Sequence, residues 1–382
     1  MKRAGMLLLC FLFLAGHLPG KVQALDLNVA AKSAVLMDVP TGTILYEQNA
    51  HEPLAPASVT KVMTMLLIME AIDSGKISWD DTVTASEAAA AKGGSQIYLK
   101  VGESMTVSDI VKSIAVSSAN DCACAMAEHL AGSESAFVDL MNQRAQELGM
   151  VDTHFVNCTG LDDDPEAASH RTSAHDIAIM SRELLKNHPD IKKYTTIWMD
   201  TVRNGTFGLS NTNKMVRFYD GCTGLKTGFT NGAGYCLSAS AQREEMELIG
   251  TVMGSKTSSE RFAAAKSMLD YGFANYSLYS PMIQEGAAVT VTLGDTTSVA
   301  AVPAEEAQLL VEKGQVSSII SQVELEPQVA APVTVGQRLG TLTIKSGDQI
   351  LKQIPLVAES DVHRLTWRDL TVKILRQIAM AK

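Results

Sequence analysis

The order of patterns along this chain predicts an α/β (α+β) fold: an antiparallel sheet with a helical lobe, a small C-terminal β-domain and a terminal amphipathic helix. Three observations carry this. Two β-like runs near the start are separated from the next strand-like runs by more than a hundred residues of mostly helical pattern. The run Val59–Ile72 is apolar on nearly every side, which marks a helix buried all round. After Ser280 alternating segments replace helical ones.

Residues 1–24 read as a secretory signal peptide. Lys2 and Arg3 precede an apolar run from about Met6 to Gly16, and Val22-Gln23-Ala24 supplies small residues for cleavage. The run is shorter than the ~20 residues a spanning helix needs. Cys10 lacks the small neighbours of a lipid-attachment site. The main domain is then expected over 25–279, the β-rich domain over 280–360 and the terminal helix over 361–382.

Within the main domain, Ser33–Val39 and Thr43–Glu47 flank Pro40-Thr41-Gly42, suitable turn chemistry for a hairpin. Pro56 and Ser58 suit the first turn of the buried helix. Val107–Val116 and Asp121–Leu130 have helical spacing, with Ser118-Ala119-Asn120 in the break between them. Leu225–Thr230 and Tyr235–Ala241 flank Asn231-Gly232, a hairpin signal, and Glu247–Gly254 supplies a third strand. Glu260–Phe273 returns to helix, with Phe262, Ala265, Met268, Leu269 and Phe273 as its packing stripe. Farther on, Val289–Leu293, Val333–Val335 and Leu342–Ile344 read as strands.

In the tail, Trp367, Leu370, Ile374, Ile378 and Ala381 share one helical face, with Arg368, Lys373 and Arg376 largely opposite. Such a helix can lie in a bilayer surface or dock on the protein, and the residues alone leave both readings open.

A net charge of −10 argues against a nucleic-acid partner, which wants a basic face. Cys122, Cys124, Cys158, Cys222 and Cys236 follow the leader, so an exported chain keeps at least one free thiol. Cys122 and Cys124 point to different sides of a helix and read as small buried apolar residues. His170, His175 and Asp162–Asp164 lie near one another in sequence but lack a metal-ligand spacing, so loop packing and capping explain them better.

The chemistry is carried by three motifs in order: Ser58-Val59-Thr60-Lys61, Ser118-Ala119-Asn120 and Lys226-Thr227-Gly228. Together they supply a nucleophile, a base, a proton relay, a cationic anchor and a strand edge, the set that serine attack on an acyl carbon requires. Ser58 and Lys61 share a helical face, so the amine can reach the hydroxyl. Burial, and Lys226 as a second cation, would each lower the Lys61 pKa and let neutral Lys61 act as general base. Ser118 can pass the proton on toward the leaving amine. Asn120 can hold Lys61 or the substrate backbone, or serve merely as a helix cap. The Lys226 strand offers an edge beside which an extended peptide can align, and Gly228 permits a close backbone approach there. Thr227 can donate to a carboxylate.

On these motifs the chain resembles the penicillin-recognising serine enzymes, and within them the low-molecular-mass penicillin-binding proteins, serine-type D-Ala-D-Ala carboxypeptidases. The resemblance is close from roughly Leu25 to Tyr276. It implies a β-lactamase/transpeptidase-like fold, an oxyanion hole from the Ser58 and Phe229 N–H groups, and a carboxylate-binding Arg261. It implies peptidoglycan pentapeptide stems as substrate, β-lactam antibiotics as inhibitors, no metal and no organic cofactor. It also favours the bilayer surface as the partner of the terminal helix. A class A-like β-lactamase is the main alternative, but no E-x-x-L-N pattern follows the second motif and Ala119 stands where those enzymes carry Asp. A β-lactam-sensing domain without turnover would call for signalling spans, and a silent wall-binding domain would not need intact motifs.

Overall fold

The computed structural model describes residues 27, 29–163, 165–281, 287–369 and 371–372. The segment read from the sequence as a signal peptide, and the tail positions Leu370 and 373–382, lie outside the described residues.

The main sheet is built from β1 (Ser33–Asp38), β2 (Ile44–Gln48), β3 (Cys222–Thr230), β4 (Gly234–Arg243) and β5 (Met246–Ser255), in the order β2-β1-β5-β4-β3. Every neighbouring pair is antiparallel. Successive side chains of a strand point to opposite faces, and here each face has its own core. Val35, Met37, Ile249 and Met253 join the core of the helical lobe, whereas Ala34, Leu36, Leu248 and Val252 join a second core under the closing helix. Cover on both faces explains why β1 and β5 read as nearly continuous apolar runs.

The helical lobe fills the chain between β2 and β3. Helix α1 (Lys61–Asp73) buries nine of its residues, including Lys61. It begins later than the periodicity predicts, because Ala57–Thr60 forms a tighter 3₁₀ turn. Ser58 therefore stands on the turn that precedes the helix, not on the helix. Helix α2 (Val107–Ser117) is capped by Thr106 and stops at Ser118, whose φ of 62° cannot continue a right-handed helix. Helix α3 (Asn120–Ala131) starts two residues on and ends at left-handed Gly132. Helix α4 (Ala174–Asn187), capped by Ser173, packs on both α1 and the sheet. Helix α5 (Ser258–Asn275) opens with a capping box between Thr257 and Glu260. It closes the other face with Ala265, Met268, Leu269 and Phe273 buried, and Phe262 packed at the margin.

The β3–β4 hairpin has a three-residue loop, since Thr230 pairs with Gly234. The Asn231-Gly232 signal locates the turn but understates it by one residue. The Thr230 hydroxyl accepts from the Ala233 N–H at 3.1 Å, and Gly234 takes the left-handed conformation at φ +69°.

Past the closing helix, a six-stranded sheet runs Ile319–Leu325, Arg338–Ser346, Gln349–Ala358, Ser298–Pro303, Ala288–Thr292, Gln328–Ala330. Only the last pair is parallel. Its separate core includes Val289, Val291, Leu342, Ile344, Ile354 and Leu356. Val333–Val335 is not a strand. Val333 makes a lone bridge to Val362, and the Gln337 N–H to Thr334 carbonyl bond at 2.9 Å turns the chain away from a ladder.

Candidate active site

Local structure first places Ser58, the nucleophile expected from the motif. Ala57 adopts φ +48°, a costly conformation for a residue with a β-carbon, and turns the chain sharply just before Ser58. Ser58 is half-buried, and Lys61 is completely buried. The Lys61 Nζ donates to Ser58 Oγ at 3.0 Å and to the Thr159 carbonyl at 2.9 Å. Neither acceptor is a carboxylate. Burial pushes the Lys61 pKa from 10.5 down to about 7, against the opposing influence of Cys158 and Asp121. A lysine poised near neutrality beside a hydroxyl can take its proton.

Lys226 is also buried, on β3, and donates to the Thr227 carbonyl at 2.9 Å. Its pKa lies well below the usual lysine value, first because of burial and then through repulsion by Lys61 and Arg261. This corrects one expectation. Lys61 is depressed by desolvation, and the cation–cation repulsion falls on Lys226.

The second motif lies at the break between α2 and α3. Ser118 and Asn120 are almost fully buried, yet Ser118 Oγ and Asn120 Oδ1 make no hydrogen bond within the protein. Buried polar atoms rarely lack a partner, so two at one site call for a functional reason. Asn120 is not a cap. Ala119 holds the cap position, and the Asn120 amide nitrogen donates to the Gly93 carbonyl at 2.8 Å. The next residue, buried Asp121, accepts from the Ile97, Leu99 and Cys122 N–H groups and so braces the 97–99 segment.

Several residues that the motif reading passed over tie these pieces together. Thr212 donates its N–H to Val116, just before Ser118, and accepts from Thr227 Oγ1 at 2.7 Å. The third motif meets the first at Gly228, where a β-carbon would lie 2.6 Å from the Pro56 carbonyl and 3.1 Å from the Ser58 nitrogen. The approach that requires glycine is therefore made by the protein's own Pro56–Ser58 turn. Asn157 Oδ1 accepts from the Thr159 and Gly160 N–H groups at 3.1 and 2.7 Å, forming the turn that presents Thr159 to Lys61. Asn three residues before Gly was a legible turn signal for this segment.

Phe229 is half-exposed beyond Gly228 and stacks on Tyr235 at 4.3 Å. Arg261 reaches β3 from α5, donating to the Gly228 and Cys236 carbonyls at 2.9 and 3.2 Å. It is buried, its guanidinium lies near the Tyr235 and Phe262 rings, and burial lowers its pKa to about 10. Arg261 thus props the strand end and brings a positive charge to it. His175 packs against the His51 ring, and His170 bonds to Thr60 and Val156. Cys122, Cys124, Cys158, Cys222 and Cys236 are all free thiols.

Comparison with known proteins agrees with this arrangement. Residues 20–257 match the family described as D-alanyl-D-alanine carboxypeptidase, and 279–364 match the C-terminal domain of penicillin-binding protein 5. The chain is 43% identical to the D-alanyl-D-alanine carboxypeptidase DacF of Bacillus subtilis (strain 168), over 89% of this chain and 87% of the relative. It is 33% identical to DacC of Escherichia coli (strain K12), over 88% and 85%. Penicillin binding protein 5 from Haemophilus influenzae superposes with a TM-score of 0.75 at 31% identity, covering 88% of this chain and 98% of that one. Penicillin-Binding Protein D2 from Listeria monocytogenes, solved in its ampicillin-bound form, gives a TM-score of 0.57 at 32% identity over 65% and 99%. With all three motifs inside the matched residues and most of its length aligned, the chain belongs to the serine-type D-alanyl-D-alanine carboxypeptidases, the low-molecular-mass penicillin-binding proteins.

Proposed function

We propose that this carboxypeptidase is exported and removes the terminal D-alanine from peptidoglycan pentapeptide stems through an acyl-enzyme on Ser58. The single observation that supports this best is the buried Lys61 Nζ, held 3.0 Å from Ser58 Oγ with a pKa of about 7. Neutral Lys61 takes the Ser58 proton as Oγ attacks the carbonyl carbon of the penultimate D-alanine. The C–N bond then breaks, and the proton reaches the departing amine through Ser118. Water hydrolyses the ester and restores Ser58 and Lys61.

The Ser58 and Phe229 N–H groups stabilise the oxyanion, an interaction worth a few kcal/mol, or about a hundredfold or more in rate. Asn120 Oδ1 accepts from the substrate backbone, and β3 aligns it as an added strand. The Thr227 hydroxyl binds the free carboxylate, with the charges of Lys226 and Arg261 behind it. An arriving carboxylate raises the pKa of Lys226 and so restores its proton, since an opposite charge favours the charged form. β-Lactams acylate the same serine and persist there. The terminal helix places the enzyme on the outer face of a bilayer.

Mass spectrometry after penicillin, followed by peptide mapping, tests the assignment. The expected result is one adduct on Ser58 that is lost in Ser58→Ala. A label elsewhere, or one that survives the substitution, refutes it. A second incubation, with a peptide ending in D-Ala-D-Ala, is expected to release D-alanine.

A further inference from the structure

The nucleophile turn depends on a buried hydrogen-bond chain that none of the three motifs contains. Thr60 Oγ1 donates to the Ala57 carbonyl at 2.9 Å. The same oxygen lies 2.8 Å from His170 Nε2. The other ring nitrogen, Nδ1, accepts from the Val156 N–H at 3.1 Å. A backbone N–H can only donate, so Nδ1 carries no proton and Nε2 carries the hydrogen. His170 is therefore the donor to Thr60, and the chain runs in one direction: Val156 N–H, His170, Thr60, Ala57 carbonyl. His170 and Thr60 are buried, and the Phe155 ring packs edge-on against the imidazole at 5.6 Å. Burial, together with neighbouring His154 and Arg171, lowers the His170 pKa to about 4, which keeps the ring neutral and the direction fixed in the ordinary working range.

The carbonyl at the end of this chain belongs to the Ala57–Ser58 peptide group. Its other half is the Ser58 N–H. Because a peptide group is planar and trans, holding the carbonyl sets the direction of the N–H on the opposite side. Two further features hold the same carbonyl. Ala57 is in the left-handed region at φ +48°, where little but its surroundings keeps it. Gly160 packs so closely that a β-carbon there would sit 1.8 Å from the Ala57 oxygen. Donation to a carbonyl also polarises its own N–H, because bonds in a chain strengthen one another.

We infer that His170 and Thr60 form a relay that orients and polarises the Ser58 N–H as an oxyanion donor. They are positioning residues, acting through the Ala57–Ser58 peptide without touching substrate. This inference rests on the proposed acylation of Ser58.

The test uses Thr60→Val, which keeps the shape and removes the hydroxyl, and Thr60→Ser, which restores it. His170→Phe interrupts the chain one step earlier. Acylation by penicillin is followed by stopped flow, and the ester carbonyl of the adduct by isotope-edited infrared spectroscopy. Thr60→Val is expected to acylate about tenfold more slowly, a fraction of the loss seen when an oxyanion donor is deleted outright. Its ester carbonyl should vibrate at a higher frequency, because a weaker donor polarises it less. Thr60→Ser should match the wild type in both readouts, and His170→Phe combined with Thr60→Val should be no slower than Thr60→Val alone. Melting curves of the two Thr60 variants confirm folding. An unchanged rate and carbonyl frequency in folded Thr60→Val, with the label on Ser58, overturns the relay alone. A label on another residue overturns both the relay and the acylation it serves.

Discussion

The pH dependence of acylation follows directly from the burial of Lys61. The folded protein lowers its pKa from 10.5 to about 7. At pH 7 about half of the molecules then hold a neutral amine, against about one in three thousand for an unperturbed lysine. The second-order rate of acylation by a fluorescent penicillin should rise about tenfold per pH unit below pH 7 and level off above it. Lys61→Arg should lose about 10²–10⁴-fold, because guanidinium stays charged.

The same shift predicts a stability signature. Between about pH 7 and 10.5 the unfolded chain binds the Lys61 proton and the folded one does not, so wild-type stability rises with pH across that window. Below pH 7 the full cost of the buried site is present, at most about 5 kcal/mol for a shift of this size. Lys61→Met escapes that cost but strands the Thr159 carbonyl. Its melting temperature relative to wild type should therefore be most favourable near pH 6 and should fall steadily as the pH rises. A flat acylation profile from about pH 5 to 9, together with a pH-independent melting difference, would refute the reasoning.

Three further outcomes are expected. Arg261→Ala removes donors from the Gly228 and Cys236 carbonyls, which should cost about 1–3 kcal/mol in a urea melt. It should also shrink the preference for a substrate with a free C-terminal carboxylate over its amide, and an unchanged preference would leave Arg261 as a strand prop only. The segment 361–365 belongs to the β-domain, with Val362 in its core and bridged to Val333, so deletion of 367–382 should leave an active, soluble enzyme that no longer sediments with anionic liposomes; sedimentation that survives the deletion would favour a helix docked on the protein. Finally, D-alanine release should be much faster than decay of the penicillin adduct, because the tethered β-lactam leaving group blocks the path that water takes once D-alanine has left. Equal rates would point to a β-lactamase.

Much of the site was legible from local rules. Three-residue spacing paired Ser58 with Lys61, alternation and turn chemistry located the β3–β4 hairpin, and an all-apolar run announced the buried α1. These signals live within one helical turn or one hairpin, which is why a linear reading finds them. Other features depend on contacts distant in the chain. Lys61 meets Thr159 across 98 positions, and Thr60 meets His170 across 110. Thr212 joins the end of α2, two residues before the second motif, to the third motif through one N–H and one hydroxyl contact, and no pattern in Asn211-Thr212-Asn213 announces it. The positive φ of Ala57, which moves Ser58 off the helix, is imposed by packing against Gly160 and Gly228 rather than by alanine's own preference. The sequence by itself determined which groups could react, because reactivity belongs to residue type and short spacing. Only the tertiary structure decided that Lys61 is dry enough for its pKa to fall to about 7 and that Lys226, not Lys61, bears the cost of two neighbouring cations. Desolvation is a property of everything packed around a group, and that surrounding shell is drawn from the whole chain.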